Sequence, residues 1–476
     1  MKKRFISMAL AVLLAASALT GCGSDTASTT ETGDQTTEQT TEQTSGTGEK
    51  VVIAWLGVQD EDVIDPLTGV VTPGKAKLEE MLTEKSGYDV DIVSIMGGNW
   101  IQQTETLVQS GEVDIVRYTN QTQIPTWCDD LTPYIENDEE LSDTWMEDTF
   151  IDFAQHYMKY TSFDYPDEYG KIFGLPISMT GEVFVYDSLL FEQWGVEPPE
   201  PGASFQELLE IGKKMTGVNP VTGEQNYGLY VQSSRAEFDA ISFDALKPIS
   251  MDSADITEFD RATYVDALKD SPELLEYFQW LEEAVAISPP GVASNSGNEL
   301  WLSENNNIAI NITTTECRNL FNIYYRAGLT DTTDRFKWFN LPLSSDGMMG
   351  FPELQFMGIA HNSEVKDAAW DVLKIIATDP EVVDYFMLNY SYVFLPVLKD
   401  TSNLTFMTEN PTAQARYDFN CEHSFITDDY WHFRTPITPI ISKVIAQEIT
   451  PEEARQQTYE EVAKWVDKME TLNTAG

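Results

Sequence analysis

The chain has 476 residues, with 78 Asp and Glu against 29 Lys and Arg and a formal charge of −49 at pH 7. So acidic a surface excludes nucleic acid as a partner, because binding there needs a basic face, and it disfavours direct docking on anionic lipid. Cys22, Cys128, Cys317 and Cys421 are widely spaced and form no C-x-x-C pair, which excludes a disulfide framework and a cysteine zinc site.

The first element reads as an export signal. Lys2, Lys3 and Arg4 precede an apolar stretch from Phe5 to Leu19, shorter than the roughly 18 residues a membrane-spanning helix needs. It ends in LTGC, Leu19 to Cys22, which resembles the lipobox at which bacterial lipoproteins are cleaved and lipidated. The expectation is that residues 1–21 are a signal peptide and that Cys22 carries the lipid. Residues 22–49 follow with Thr, Gln, Gly and acids, a TTEQ repeat from Thr36 to Gln43, and Ala27 as the one apolar side chain after Cys22. Such a stretch buries too little to offset ordering entropy, so it reads as a flexible tether. At ~5–6 Å × √n it would average about 30 Å.

The remainder, from Lys50, is longer than the ~250–300 residues at which a single core stops growing, so two lobes are expected. VVIAWLG (Val51–Gly57), YDVDIVSIM (Tyr88–Met96) and VDIV (Val113–Val116), the last running into Arg117 and Tyr118, read as strands separated by helical patterns. That alternation implies parallel sheets covered by helices, an α/β class. Ser204 with Glu207 forms a capping box ahead of Leu208, Leu209 and Met215, and Gly217 supplies a stop. Asp367–Ala377 reads as a helix, with Asp379 and Pro380 opening another. Thr450, Pro451 and Glu453 open a last helix bearing Ala454, Val462, Val466 and Met469.

The order of the pieces carries a resemblance. SGEVDIV (Ser110–Val116), DLTPYI (Asp130–Ile135), GKIFGLP (Gly170–Pro176) and VFVYDSLLFEQWGVEPP (Val183–Pro199) are followed by ELWLSENNNIAI and FNLPLSSDG. MGIAHNSEVKDAAWDVLKIIATDPE, VFLPVLKD and ITPEEA come after them. In this order they resemble the extracellular solute-binding proteins of family 1, the sugar-binding subunits of ATP-binding-cassette importers. Val113 stands where proline is usual, and Asp187 where asparagine is commoner. ELWLSENNNIAI resembles that family's amphipathic helix and the small-residue strand after it.

The resemblance implies a two-lobe, periplasmic-binding-protein-like α/β fold with hinge-linked lobes and an interlobe cleft. Residues 50–178 and 350–392 would form the first lobe, and 179–349 and 393–476 the second. The implied function is capture of a carbohydrate, an oligosaccharide or another small solute, and its delivery to the transmembrane subunits of an ABC permease. The implied protein is a monomer, lipid-anchored on the outer face of the bacterial cell membrane; no cofactor and no metal site is assigned from the sequence, which leaves open whether an ion is bound.

A sugar presents apolar ring faces to aromatic side chains and hydroxyls that need directional partners. Trp55, Trp100 and Tyr118 sit at or just beyond strand ends, where they face either the cleft or the core. YWHFRT (Tyr430–Thr435) resembles a segment of maltodextrin-binding relatives in which a tryptophan before an Arg-Thr pair stacks on sugar; here Trp431 or Tyr430 takes that place. Arg434 would bond ligand or pair an acid of the fold. Thr180, beside Ser178 and Glu182, stands at a crossing between lobes. Gln232, Arg235, Glu353 and Gln355 are further polar candidates on loops that could equally be solvated.

Two other classes of function are weaker. A glycoside hydrolase needs two placed carboxylates, and pairs such as Asp129 with Asp130 or Asp428 with Asp429 arise by chance among 78 acids. Cys421, His423 and His432 match no ligand or nucleophile spacing. A structural adhesin would explain lipid and tether but not the ordered importer-like segments. A binding protein for a non-sugar solute remains the alternative within the family.

Overall fold

The computed structural model describes residues 48–119, 124–160, 165–181, 183–232, 243–245, 265–313, 318–349, 353–424 and 430–474, the side chains at 430–436 and at much of 465–474 excepted. The signal peptide, Cys22 and nearly all of the tether therefore lie outside the described residues, as do Cys317, Glu182 and Arg235.

The first sheet has six strands in the order β13-β6-β12-β5-β1-β4. Its parallel part is β1 (Lys50–Leu56) between β4 (Asp89–Ile95) and β5 (Ile115–Tyr118). β12 (Leu354–Ile359) runs antiparallel between β5 and β6 (Leu175–Thr180). β13 (Phe394–Leu395) completes the edge against β6. A second sheet has five strands in the order β11-β7-β10-β9-β8. These are β7 (Phe184–Asp187), β8 (Gly217–Val218), β9 (Gln225–Tyr230), β10 (Ile308–Asn311) and β11 (Phe336–Phe339). A separate hairpin pairs β2 (Val63–Ile64) with β3 (Val71–Thr72).

The third expected strand starts two residues later and runs two further. Asp114 does not begin it because its carboxylate accepts the Val52 N–H at 2.8 Å and the Ser363 hydroxyl at 2.6 Å. The strand continues through Arg117 and Tyr118 because β12 supplies partners in Met357 and Phe356.

The helix starts follow the sequence closely. Ser204 and Glu207 form the reciprocal capping box of the helix Phe205–Lys214, at 2.8 and 3.3 Å. Thr450 and Glu453 do the same for Pro451–Thr474, at 2.9 and 3.2 Å. Asp379 caps Pro380–Asn389 by accepting from Glu381 and Val382. Ser204→Ala should lower stability by about 1 kcal/mol, read as a reduced urea midpoint at unchanged slope. A shift within error would mean solvent replaces the cap.

Two expectations are corrected. ELWLSENNNIAI yields its strand, β10, but no amphipathic helix: Leu302 adopts a positive φ of 62°, and the Ser303 hydroxyl returns to the Leu300 carbonyl at 2.6 Å, closing turns instead. The boundary of the second lobe at residue 393 is also displaced. β13 pairs with Met179 and Thr180 of β6, Leu398 bridges Phe150, and the Tyr417 hydroxyl bonds the Leu398 carbonyl at 2.7 Å, so residues 393–424 build onto the first sheet. The helices Tyr430–Ile445 and Pro451–Thr474 pack with Pro272–Ala286 on the second. The core of that second lobe is aromatic: Phe205 and Trp280 lie 4.8 Å apart, and Trp280 Nε1 donates to the Phe205 carbonyl. No described helix is long and apolar enough to cross a membrane.

Candidate ligand-binding site

β6 ends at Thr180 and β7 begins at Phe184, so the chain passes between the sheets in a few residues. β12 starts where β5 and β6 end, since Phe356 faces Tyr118 and Leu354 faces Met179. On the other side, β9 and β10 end where β7 starts, because Asn311 pairs with Val185 and Tyr230 with Asn311. The carboxyl ends of the parallel strands of both sheets therefore lie at the crossing, which is where open α/β sheets place ligands.

Of the aromatics expected there, two are committed to packing. Trp55 is wholly buried, its ring 5.1 Å from that of Phe386 and tilted by 36°. Tyr118 is buried and stacks on Phe356 at 5.5 Å, with its hydroxyl in the space that a side chain at Gly174 would fill. Burial and the neighbouring Cys128 push its hydroxyl well above the usual tyrosine range. Neither ring offers an open stacking face, a correction to the expected cleft position. Both were drawn inward because their strands are interior to the sheet and covered. Trp100 opens the helix Trp100–Ser110 and is half-buried at the margin of the core.

The polar candidates converge instead. The Thr180 N–H donates to the Glu353 carbonyl at 2.9 Å, and the Thr180 hydroxyl accepts from the Glu353 N–H at 3.0 Å. Gln355 lies opposite Ser178 at a register shift in β12, and its Nε2 donates to Glu353 Oε1 at 3.0 Å. Its Oε1 accepts from Arg117 Nη2. Ser178, Thr180 and Gln355 are buried, and Ser178 Oγ has no hydrogen-bond partner among the described residues. Burial lowers the Arg117 guanidinium to about 10, partly offset by Glu353, so it is charged at neutral pH.

Sequence reasoning missed Arg117 as a site residue; the signal was a lone arginine at the end of a strand otherwise made of Ile, Val and Tyr. Across the crossing, buried Asn311 ends β10 and buried Thr313 lies just beyond it, with the Thr313 N–H on Asn311 Oδ1 at 2.8 Å, and Gln232 follows β9 with a buried Oε1 that has no partner among the described residues. Asn311 and Thr313 had been missed too.

A second arginine, Arg416, is fully buried beside this cluster. Its Nη1 donates to the Val393 carbonyl at 2.8 Å and its Nε to Thr412 Oγ1 at 3.2 Å, while the guanidinium lies 4.3 Å from the Phe321 ring centre. Gly181 leaves room here, since a Cβ would fall 2.7 Å from the Leu395 side chain and 2.8 Å from Arg416 Nη1, and both would have to shift. Farther along, Arg326 donates to Thr72 Oγ1 at 3.0 Å and to the Val71 carbonyl at 3.1 Å, joining the β2–β3 hairpin to the π-helical turn Leu320–Tyr325.

Other candidates separate from the site. Asp187 lies at the opposite end of β7, wholly buried, where it caps the helix Ser188–Trp194 and holds Arg335 through two bonds of 2.9 and 2.6 Å. Asp129 pairs with Lys366. Tyr430, Trp431 and Arg434 fall in the first turns of the helix Tyr430–Ile445, but their side chains, like Arg235, Glu182, His432, Asp428 and Asp429, lie outside the described residues. Cys128 and Cys421 are free thiols, and no group of His, Cys, Asp or Glu among the described residues is arranged to hold a metal ion.

The fold is shared with sugar-binding and polyol-binding proteins of known structure. An ABC substrate-binding protein of Listeria monocytogenes in complex with cycloalternan is 18% identical, covers 88% of this chain and 99% of its own, and superposes with a TM-score of 0.64. Maltose-bound MalE3 of T. maritima gives 15% identity, 88% and 100% coverage and 0.62. An Agrobacterium vitis solute-binding protein with bound D-mannitol gives 17%, 88%, 99% and 0.59. No curated protein sequence matches the chain. Residues 68–382, well over half of the chain, match the model of one family, and by that match, on this two-lobe fold, the chain belongs to the bacterial extracellular solute-binding proteins.

Proposed function

We propose that the protein is the substrate-binding lipoprotein of an ABC importer, anchored through Cys22, that captures a carbohydrate between its lobes and delivers it to the membrane permease. The observation that carries this reading is the set of polar side chains at the crossing: buried Arg117, Ser178, Thr180 and Gln355 with half-buried Glu353 on one side, and buried Asn311 and Thr313 with half-buried Gln232 on the other. Buried polar groups are costly when unpaired, and a polyhydroxylated ligand supplies donors and acceptors to both walls at once. Contact with both walls favours the closed arrangement, which shifts a population rather than driving chemistry. Tyr430, Trp431 and Arg434, with Arg235 and Trp100, are proposed to complete the site.

Screening the domain from residue 48 onward against mono- and oligosaccharides should find ligands that raise its melting temperature. A hundredfold excess over Kd stabilises by about 2.7 kcal/mol. The ligand should be recovered unchanged after incubation; steady product formation would favour a hydrolase instead. In whole cells, Cys22→Ser should release the protein from the membrane fraction. Retention of the variant would show that something other than lipid on Cys22 holds it.

A further inference from the structure

Arg117 is a cation taken out of water with no carboxylate hydrogen-bonded to it among the described residues. It is 8% exposed and makes no ion pair among the described residues. Nη2 is held by Gln355, and among the described residues the buried Nε has no acceptor and Nη1 no hydrogen-bond partner. Glu353 is the one carboxylate whose field it feels, and that group already accepts from Gln355 Nε2. Buried charges are ordinarily paired, because an uncompensated one is strongly destabilising. Tying β5 to β12 does not explain the charge, since the two strands already share a continuous ladder from Ile115 to Tyr118.

We infer that the cleft takes an acidic carbohydrate, a uronic acid or an oligosaccharide containing one, whose carboxylate is received by the free Nη1 edge of Arg117. The inference rests on the carbohydrate-binding reading above and narrows its substrate class. A carboxylate fits better than a phosphate ester. Arg117 carries a single positive charge, part of which Glu353 already offsets, so the pocket accommodates one further negative charge more readily than the roughly −1.5 to −2 of a phosphate. A charge-assisted hydrogen bond in this buried setting is roughly twice as strong as a neutral one. Gln355 would hold the guanidinium in place from behind, leaving its outer edge to the ligand.

The test is calorimetric titration of the wild-type domain with three matched probes: trigalacturonate, its methyl ester and neutral galactotriose, together with the glucose-series equivalents. At least one acidic trisaccharide should bind about tenfold or more tighter than both its ester and its neutral counterpart, and that advantage should shrink as salt rises. In Arg117→Met the acid-to-ester affinity ratio should fall to about one. Should that variant fail to fold, the ester comparison on the wild type still decides. If neutral sugars bind and the acids bind no better, the acidic-ligand inference is overturned while the carbohydrate reading stands. If phosphorylated sugars outcompete uronates, the assignment of a carboxylate is overturned. If no carbohydrate of either kind binds, both readings fall together.

Discussion

Gly228→Ala should cost the second lobe about 3 kcal/mol or more, the high end of what overpacking does. Gly228 lies in β9 under the helix Phe205–Lys214, and a Cβ there would fall inside the contact distance of Gly212, meeting its carbonyl oxygen, carbonyl carbon and Cα. All three are backbone atoms, so no rotamer relieves the clash. The helix would have to lift, pulling Phe205, Leu208 and Leu209 out of the core. The converse change, Gly212→Ala, meets the side chains of Ile287 and Leu229 at 2.8 and 3.0 Å, with the Gly228 backbone no nearer than 3.3 Å, and should cost distinctly less. Equilibrium denaturation of both variants reads the contrast. Equal and small losses would show that helix and strand approach less closely than described.

Arg416→Ala should cost about 3 kcal/mol, the scale of losing two hydrogen bonds from a charged donor together with the packing of a long buried side chain. The Val393 carbonyl and Thr412 hydroxyl lose their donor, and the Phe321 ring loses the cation over its face. Lysine should not restore the loss, because a point charge cannot reproduce a planar fork that also stacks. Phe321 belongs to the second lobe and Val393 to the first, so the variant should also widen the ligand-free particle, visible as a larger radius of gyration in solution scattering. A loss under about 1 kcal/mol with unchanged dimensions would relegate Arg416 to filling space.

Local signals in the sequence reached the structure almost intact, because they are settled within one turn of chain. Ser204, Asp379 and Thr450 each cap the helix they were expected to start. Strand order along the chain was also readable. What failed was decided by distant partners. Trp55 and Tyr118 were expected at the cleft from their place at strand ends, but Phe386 and Phe356, more than two hundred residues on, enclose them. VFLPV announces a strand, yet nothing within it says that its free edge belongs to Thr180 and the first sheet. Thr180 stands out through the family's pattern and Gln355 only as a polar residue of the segment GFPELQF, and the structure brings them together. The arginine between them was passed over because a single charge after an apolar run reads equally well as a strand terminus. The β2–β3 hairpin is closed locally in the segment DPLTG, where Asp65 accepts from the Leu67 and Thr68 N–H groups.

The brevity of the passage from Thr180 to Phe184 sets what kind of machine this is. Four peptide steps reach at most ~14 Å when fully stretched, so near this point the halves are leashed and opening reduces to a change of angle. A bound molecule thus never has to bring two bodies together from a distance, and the entropy of their encounter was already spent when the chain folded. Contacts as modest as a few hydrogen bonds can then decide whether the jaws are shut, and equally small ones, offered by a membrane partner, can prise them apart. Lengthening that leash with a flexible insert would leave every ligand contact in place and still loosen capture, by letting the two halves drift before they meet.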